Sequence, residues 1–149
     1  STTSVDMSNT YLGWLRKNLA HNGLANGLAE AQHGLIRANC LQWLQQDTGE
    51  YDLILLDPPS FSNSKNMEES FDVQRDHPQL VRAAMARLRT GGVLYFSNNR
   101  RGFKLAEELL AEFDCCDVTR STLDVDFQRN QKVHCCWEIR PSAAAKTAS

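Results

Sequence analysis

The segment with the clearest chemical character is Asp57-Pro58-Pro59-Ser60-Phe61, which directly follows the aliphatic run at residues 53–56. Neither proline can donate to a β-ladder, so the pair ends the preceding strand and fixes the backbone behind it. The Asp57 carboxylate and the neighbouring carbonyl oxygens are then held rigidly at the strand end. The Phe61 ring adds a face on which a nucleobase can stack, whereas the alternative is a rigid turn with a core phenylalanine. The segment favours a site for a planar heterocycle.

Other polar residues also follow predicted strand ends. Asp6 can accept both hydroxyls of a ribose, or it can cap the helix that follows. Asn39 and Cys40 can hold an adenine edge through a side-chain oxygen and a backbone N–H, although Asn is also a common helix cap. Asn98-Asn99 follows a later strand. In parallel α/β sheets, ligands bind at the carboxyl ends of the strands, so we expect these residues to share one rim with Asp57.

The hydrophobic patterns place these residues on an alternation of strands and helices. Strands are predicted at residues 2–6, 34–38, 51–57 and 93–97. Helices are predicted at residues 9–21 with Ser8 as the cap, at 41–46, from 80 to 88 before Gly91-Gly92, and at 103–113. Two last strands, at about 116–123 and 132–139, are separated by a polar turn and predict an antiparallel hairpin. The chain is therefore predicted to be an α/β protein whose parallel sheet ends in an antiparallel hairpin.

Further expectations concern the segments around these elements. The continuous aliphatic character of residues 51–57 predicts a strand that is buried on both faces. Residues 60–74 are polar and aperiodic, which predicts a long loop, and residues 24–33 predict a connector. Residues 141–149 predict a frayed tail. One domain is therefore expected over residues 1–140, followed by that tail.

Composition and charge narrow the function classes. The chain has 149 residues, 42% of them hydrophobic, which suits one ordinary domain and excludes a disordered or fibrous protein. No run approaches the ~20 apolar residues of a membrane span, and the N-terminus lacks signal-peptide features, so we expect a soluble cytoplasmic chain without a membrane partner. Residues 75–149 carry 12 basic and 9 acidic side chains, against 4 and 9 in residues 1–74. The second half therefore permits a nucleic-acid partner.

Four of the five cysteines form the adjacent pairs Cys115-Cys116 and Cys135-Cys136. Neighbouring residues of a strand face opposite sides, so each pair is expected to have one inward and one outward thiol. The C-x2-C spacing typical of zinc sites does not occur. We therefore predict reduced cysteines and no metal site.

A longer pattern carries a family resemblance. It comprises Asp-Pro-Pro-Ser-Phe-Ser-Asn-Ser-Lys at 57–65, Phe-Asp-Val-Gln-Arg-Asp-His at 71–77 and Phe-Ser-Asn-Asn-Arg-Arg-Gly-Phe at 96–103. The first of these looks like the motif of class I S-adenosylmethionine-dependent methyltransferases acting on nucleobases. The whole pattern resembles the C-terminal half of the bacterial bifunctional large-subunit rRNA guanine methyltransferases, the RlmK/L family, over about residues 1–140. The resemblance implies a Rossmann-like class I methyltransferase sheet, S-adenosylmethionine as the cofactor and 23S rRNA as the partner.

The resemblance also implies residue roles. Asp6 would bind the cofactor ribose and Met7 would lie against the adenine. Asn39 and Cys40 would take the adenine edge, although the family more often has Asp at position 39. The implied catalytic residues surround the methyl donor and the target base; they are Asp57, Pro58, Pro59 and Phe61. Asp57 would also contact the cofactor. The implied RNA contacts are Ser60, Lys65, Arg75, Asn98, Asn99, Arg100 and Arg101.

The acceptor atom decides the mechanism. Guanine N7, which the resemblance implies, has an in-plane lone pair and no proton, so its methylation requires positioning rather than a general base. An exocyclic amine must lose a proton, for which a carboxylate such as Asp57 is suited. A related family that also carries Asp-Pro-Pro-x-Phe methylates cytosine C5 through a cysteine nucleophile, in a Ser-Cys-Ser-like segment after the next strand. In this chain that segment reads Ser97-Asn98-Asn99, and positions 41–114 contain no cysteine, so covalent catalysis is disfavoured. A non-catalytic RNA-binding fragment is the alternative from another class.

A cofactor-binding α/β fold requires a Gly-rich turn after its first strand, and none of the eight glycines of this chain forms a G-x-G pattern. In the resembling family that turn and the first strand precede the segment matching Ser1. The family's strand order is 3-2-1-4-5-7-6, so the absent first strand is central. We therefore expect a sheet that lacks its first strand and Gly-rich loop, with the missing N-terminal part of the same protein as a partner. The isolated chain is predicted neither to fold stably nor to bind S-adenosylmethionine, and hence to be inactive.

Overall fold

The computed structural model describes residues 1–24, 32–63, 70–127 and 133–142, and the chain divides into two compact units, Ser1–Asp47 and Thr48–Ser149. The strands are β1 (Thr2–Asp6), β2 (His33–Arg37), β3 (Tyr51–Leu56), β4 (Phe61–Ser62), β5 (Phe71–Asp72), β6 (Leu88–Asn98), β7 (Phe113–Asp117) and β8 (Cys135–Pro141). The helices are α1 (Asn9–His21), α2 (Cys40–Gln46), α3 (Val73–Met85), α4 (Glu107–Glu112) and α5 (Thr119–Thr122), and a 3-10 turn covers Val125–Phe127. The predicted α/β class is confirmed.

The first unit is a parallel pair of strands with one helix after each. β1 and β2 run parallel, with Thr2 opposite His33 and Asp6 opposite Arg37. Ser8 caps α1 by accepting a hydrogen bond from the Tyr11 N–H, as the sequence predicts. The helix ends at Asn22 and Gly23, whose positive φ of 71° is the left-handed conformation that glycine adopts most readily.

The second unit contains a four-stranded sheet in the order β3-β6-β8-β7. β3 and β6 are parallel, whereas β8 is antiparallel to both β6 and β7. The predicted antiparallel hairpin is thus confirmed, and the order matches the 4-5-7-6 part of the expected sheet. Among the described strands, β1 and β2 pair only with each other.

The core of the second unit lies between α3 and the sheet. The apolar residues of α3 recur at helical spacing and form one buried face, while Leu94, Phe96 and Ile139 fill the sheet side and are fully buried. The buried residues of the α3 face are Val73, His77, Leu80, Val81, Ala84 and Met85. One polar side chain, His77, belongs to this face, and its partners are described below.

The prediction that β3 is buried on both faces is wrong. The Leu53 and Leu55 side chains are 58% and 70% exposed. Among the described strands, β3 pairs only with β6, so it is an edge strand. Leu53 and Leu55 are too exposed for a strand that is covered on both faces.

Several element boundaries differ from the predictions. The first strand of the predicted hairpin, at about 116–123, spans Phe113–Asp117 instead, and Thr119–Thr122 is helical. Pro141, predicted to begin the tail, belongs to β8. α3 begins at Val73, inside the predicted loop, because Asp72 caps it through the N–H groups of Gln74 and Arg75. Gly91-Gly92 lies within β6, which is much longer than predicted, and does not end a helix. α4 spans only Glu107–Glu112. Residues 103–106 stay out of this helix because side chains of α3 bind their backbone.

Gly92 allows β3 and β6 to pair despite an irregular register between Tyr51 and Leu53. A Cβ atom at position 92 would lie 3.0–3.1 Å from the backbone oxygens of Arg89, Asp52 and Tyr51. Only glycine avoids that contact, which is the usual role of glycine at a close backbone approach.

Parts of some predictions lie outside the described residues. These are most of the connector at 25–31, the middle of the loop at 64–69, the hairpin turn at 128–132 and the tail at 143–149. Within the described residues, no helix has both the length and the apolar character needed to cross a bilayer.

Candidate nucleotide-binding and catalytic site

Asp57 lies at the carboxyl end of β3 and is fixed by its neighbour on β6. The parallel pairing places Leu56 opposite Phe96, so the next residues, Asp57 and Ser97, are adjacent at the sheet edge. The Ser97 hydroxyl donates a hydrogen bond of 2.8 Å to Asp57 Oδ1. Asp57 remains exposed, so its carboxylate is oriented by the protein and accessible from outside.

The loop after Asp57 is held by the start of α3. The Ser60 carbonyl accepts a hydrogen bond of 3.2 Å from the Val73 N–H, and β4 pairs with β5 so that Phe61 lies opposite Asp72. Phe61 is 56% exposed. The alternative of a core phenylalanine is therefore excluded, and the aromatic face that base stacking requires is available.

Asp72 joins three segments of this region. Its Oδ1 accepts N–H bonds from Gln74 at 2.8 Å and Arg75 at 3.4 Å at the start of α3. The same oxygen lies 2.6 Å from a guanidinium nitrogen of Arg100, in the loop after β6. The hydrogen bond from Arg100 is the main reason that the pKa of Asp72 is lowered. Asp72 therefore connects the Phe61 strand, α3 and the Arg100 loop.

Two side chains of α3 hold the rest of the loop after β6. The Gln74 amide donates to the Lys104 carbonyl at 2.8 Å and accepts from the Lys104 N–H at 3.0 Å. The Ala106 N–H donates to His77 Nε2 at 3.0 Å. With Asp72, these residues form what we call the α3 clamp: Asp72, Gln74 and His77.

The contacts of His77 define its tautomer. Nδ1 lies 2.8 Å from the Val73 carbonyl and 3.1 Å from the Gln74 carbonyl, so it carries the proton and donates, while Nε2 accepts from Ala106. The ring stacks near Phe96 and contacts the edge of Phe103, at centroid distances of 5.9 and 4.8 Å. Burial lowers the pKa of His77, so the neutral form is favoured. His77 is a structural residue of the core.

Sequence reasoning noted the segment 71–77 only through the family resemblance and assigned no role to the α3 clamp. A local signal for Asp72 did exist, because an Asp directly before an apolar residue of helical period is a helix-start pattern. The roles of Gln74 and His77 had no such signal, since their partners lie 30 and 29 residues further along the chain.

The predicted RNA contacts differ in their accessibility. Asn99 and Arg101 are exposed. Asn98 is fully buried, and its Oδ1 accepts a 3.0 Å hydrogen bond from the Arg100 N–H, so the structure favours a supporting position over direct contact with RNA. Arg75 forms an ion pair of 2.6 Å with Asp76 and also donates to the Ser70 carbonyl. Lys65 lies outside the described residues.

The predicted cofactor residues are in the first unit. Asp6 Oδ1 accepts a 2.6 Å hydrogen bond from the Ser8 N–H. A carboxylate has about four lone-pair positions, so Asp6 retains acceptor capacity for ribose hydroxyls. Met7 is half-buried, and its carbonyl accepts from Arg37 at 3.3 Å. The ribose contact of Asp6 is therefore compatible with the structure, and the contact of Met7 with the adenine stays a prediction.

Asn39 fits the predicted adenine contact less well. Its Oδ1 accepts N–H bonds from Leu41 at 3.0 Å and Gln42 at 3.2 Å, which occupy both lone pairs of an amide oxygen. The alternative that Asn39 caps a helix is thus confirmed, and its adenine contact stays a prediction. Cys40 begins α2, and its thiol donates to the Val5 carbonyl at 3.5 Å. Burial and the nearby Asp6 charge raise the pKa of that thiol.

The cysteines form no disulfide among the described residues, and within each adjacent pair one residue is more buried than the other. In the described part of the chain, no group of three His, Cys, Asp or Glu side chains could hold a metal ion. Cys135 and Cys136 are opposite Asn98 and Ser97 in the β6–β8 pair, so the fold brings two cysteines near Asp57 that the linear sequence keeps far away. Burial raises the pKa of both thiols, which disfavours the thiolate that a nucleophile requires.

Comparison with known sequences gives strong local matches. No family model matches the chain. The chain is 51% identical over 140 residues to ribosomal RNA large subunit methyltransferase K/L of Acinetobacter baumannii (strain AYE), covering 94% of this chain and 19% of that protein. It is 54% identical over 139 residues to the protein of the same name from Cellvibrio japonicus, covering 93% and 18%. The chain therefore spans about a fifth of the length of these curated relatives.

Comparison with solved structures addresses the fold. A methyltransferase in complex with SAH superposes with a TM-score of 0.65 at 20% identity, covering 93% of this chain and 38% of that chain. A SAM-dependent methyltransferase from Agrobacterium tumefaciens gives a TM-score of 0.65 at 16% identity, covering 94% and 49%. At these identities the likeness concerns the fold alone. Sequence and fold together thus identify this chain as similar to part of the ribosomal RNA large subunit methyltransferase K/L proteins, with the α/β fold of S-adenosylmethionine-dependent methyltransferases.

Proposed function

We propose that this chain is the C-terminal part of an S-adenosylmethionine-dependent methyltransferase domain that methylates guanine N7 in 23S rRNA. The observation that carries the proposal is the rim formed by Asp57, Ser97 and the exposed Phe61, in a chain 51% identical to large-subunit rRNA methyltransferases. An oriented carboxylate beside an accessible aromatic ring suits a flat base brought to a fixed position.

The cofactor residues follow from the fit of the first unit. Asp6 would hold the ribose through its remaining acceptor positions, with Met7 beside the adenine. The Cys40 N–H would face the adenine edge, because the next two N–H groups of α2, those of Leu41 and Gln42, already donate to the Asn39 cap. Asn39 would act mainly as the cap that holds this turn. S-adenosylmethionine supplies the sulfonium methyl group that is transferred.

The protein's part in the reaction is positioning. Guanine N7 attacks with its own lone pair, so no side chain must remove a proton. Asp57, fixed by Ser97, and the Pro58-Pro59 turn would orient the base, while Phe61 would stack on it. The α3 clamp would keep the Phe61 strand and the Arg100 loop in one arrangement. Arg75, Arg101 and Asn99 remain the proposed RNA contacts, together with Ser60, Arg100 and Lys65.

The structure adds a reason to disfavour the cytosine C5 alternative. The cysteines nearest to Asp57 along the sheet edge, Cys135 and Cys136, have raised pKa values, and Cys136 is buried. Methylation of an exocyclic amine stays the open alternative, and the charge of Asp57 distinguishes it from methylation of N7.

We also propose that a preceding strand and Gly-rich loop complete the sheet. Three observations support this: the separate pairing of β1 with β2 among the described strands, the exposure of Leu53 and Leu55 on β3, and the one-fifth coverage of the relatives. The isolated 149-residue chain would then lack cofactor binding and activity.

Calorimetric titration with S-adenosylmethionine tests the two proposals separately. We expect no binding to the 149-residue chain and micromolar binding to a protein extended upstream of Ser1. Micromolar binding by the short chain would refute the incomplete sheet. The extended protein, given radiolabelled cofactor and 23S rRNA, should yield 7-methylguanosine after nuclease digestion.

A non-catalytic RNA-binding fragment is the rival function. It would bind 23S rRNA without crosslinking to S-adenosylmethionine on irradiation, whereas a methyltransferase crosslinks. An extended protein that binds RNA, fails to crosslink and transfers no methyl group would establish the rival.

A further inference from the structure

A pocket of about 510 Å³ opens in the second unit, beside the loop after β6. This size is within the range of small-ligand sites. The residues that give the pocket its chemistry are Arg100, Phe103, Arg120, Leu123, His134 and Cys135. None of the roles derived above uses Arg120, Leu123 or His134.

Local hydrogen bonds fix the wall that carries Arg120. The Cys136 N–H donates to Thr119 Oγ1 at 3.0 Å, and the Val118 N–H donates to the Cys136 carbonyl at 2.9 Å, so the start of α5 is attached to β8. Thr122 Oγ1 and His134 Nε2 lie 3.2 Å apart, which ties the other end of α5 to the start of β8. The pocket wall is therefore held by the sheet.

The charges of the pocket favour an anion. Among the described residues, Arg120 forms no ion pair and no hydrogen bond, so its guanidinium is free to bind a ligand. Arg100 adds a second cation, although it is already paired with Asp72. The one acidic residue of the lining, Asp117, accepts the Thr119 N–H at 2.9 Å as a turn cap.

The rest of the pocket lining combines apolar and polar side chains. Phe103 and Leu123 present apolar side chains, and His134 presents a ring that can stack or donate. A free arginine beside such surfaces suits a phosphate joined to a sugar and base, since Arg binds phosphate oxygens in a bidentate manner.

The pocket lies at the same end of the sheet as Asp57, where β3 and β6 terminate and β8 begins. Cys135 of the lining pairs with Asn98, and the preceding residue Ser97 bonds to Asp57. Asp57 ends β3 and Cys135 begins β8, two strands away, which corresponds to ~10 Å at the usual strand spacing. An RNA strand that presents its target base at Asp57 can therefore continue along the edge to this pocket.

We infer that this pocket binds a single-stranded ribonucleotide next to the methylated base, with Arg120 on its phosphate and Phe103, Leu123 and His134 around its sugar and base. The inference rests on the proposed function, because it takes the RNA of that reaction as the ligand. It assigns to Arg120 a binding role and no part in methyl transfer.

The test is filter binding of 23S rRNA to the upstream-extended protein and its variants. Arg120→Glu should weaken binding about tenfold or more, and Arg120→Lys should keep most of it. Arg120→Ala should also lower the slope of log K against log salt by about 0.7, the value for one phosphate contact on a single strand. Leu123→Trp, which fills the pocket without changing charge, should weaken binding as well.

Matched controls separate the pocket from general charge effects. Arg16→Glu makes the same charge change at an exposed position of α1, where Arg16, like Arg120, forms no ion pair among the described residues, and Leu110→Trp adds the same ring to an exposed position of α4. Both should bind RNA within twofold of the wild type. S-adenosylmethionine affinity should be equal in all variants.

The outcomes distinguish the pocket from the proposed function. RNA binding that Arg120→Glu leaves unchanged, or weakens no more than Arg16→Glu does, overturns the pocket even if methyl transfer is observed. Absence of RNA binding by the wild-type protein overturns it as well. If the wild-type extended protein binds RNA but transfers no methyl group, and Arg120→Glu selectively loses RNA binding, the pocket is supported and the methyltransferase function is refuted.

Discussion

The Ser97 hydroxyl and the Asp57 carboxylate, on neighbouring parallel strands, are joined by a hydrogen bond of 2.8 Å. The two residues are 40 positions apart in the chain. The bond orients one carboxylate oxygen toward the sheet and leaves Asp57 exposed to a ligand. Whether this carboxylate positions a base or removes a proton from it is the main chemical question about the site.

The charge of Asp57 answers that question in the extended protein. If the acceptor is guanine N7, Asp57→Asn should keep transfer within about tenfold of the wild type, because an amide can still accept the Ser97 bond and orient a base. If Asp57 were a general base, the loss should reach the 10²–10⁴-fold typical of that role. The measurement is single-turnover methyl transfer, and equal cofactor affinity in calorimetry serves as the control.

Ser97→Ala tests the orienting bond itself. Removing the hydroxyl frees the carboxylate without a change in charge, so we expect kcat to fall a few-fold while the KM for cofactor stays constant. Ser121→Ala is the matched control, because that exposed hydroxyl bonds only to the Val118 carbonyl within its own turn. A kcat in Ser97→Ala equal to that of Ser121→Ala would argue against any role for the bond.

Asp72 combines a helix cap with an ion pair, and two substitutions separate them. Asp72→Asn keeps a good cap and loses the charge, so its Tm should lie between those of the wild type and Asp72→Ala. Arg100 lowers the pKa of Asp72 in the folded state. The stabilisation by the charge should therefore be present above the unfolded-state pKa of about 3.9 and be lost as the pH falls through the lower folded-state value. Thermal melts of the three proteins between pH 7 and pH 3 would show this order, and identical Tm values at pH 7 would contradict it.

The buried His77 should make the free energy of unfolding depend on pH in a second, higher pH range. Burial lowers its folded-state pKa, so below the unfolded-state value of about 6.5 the unfolded chain binds the extra proton. The free energy of unfolding should fall as the pH decreases from about 7 toward the folded-state pKa. His77→Gln should be less stable at pH 8 by about 1–3 kcal/mol, because it loses buried hydrogen bonds, and should show a smaller slope between pH 7 and 5.5. An unchanged slope in His77→Gln would refute the assignment.

A side chain at position 92 should destabilise the pairing of β3 with β6. A methyl group there meets three backbone oxygens at 3.0–3.1 Å, so Gly92→Ala should destabilise the fold by about 1–3 kcal/mol. Gly13→Ala is the matched control: apart from its chain neighbours and the backbone of its own helix, no atom of the described residues lies within 4 Å of the added Cβ, and α1 should gain about 0.5–1 kcal/mol. Chemical denaturation measures both, and equal effects of the two substitutions would show that the contact at position 92 relaxes without cost.

The sequence predicted those elements whose signals are local. β1 and α1 have the predicted bounds because an acid ends the strand, Ser8 caps the helix and Gly23 ends it. The segment after Phe103 was predicted as helix from its amphipathic pattern, yet only residues 107–112 are helical. The pattern could not reveal that Gln74 and His77 bind the backbone of residues 104 and 106.

The candidate site shows the same division. The position of Asp57 at a strand end follows from the aliphatic run and the two prolines that follow it. The bond to Ser97 and the approach of Cys135 to that edge depend on strand pairing, which no local pattern encodes. Asn39 illustrates the reverse case, in which one residue type suits two roles and only the structure shows that the helix cap uses its oxygen.

The exposed leucines of β3 also bear on how this segment behaves in a cell. As an edge strand, β3 offers unpaired backbone groups and apolar side chains to any other extended chain. Edge strands of this kind promote aggregation. Coverage of Leu53 and Leu55 early during synthesis should therefore limit aggregation of this segment. On this basis, preparations of the 149 residues alone should associate through β3, and a charged residue in place of Leu55 should keep them dispersed.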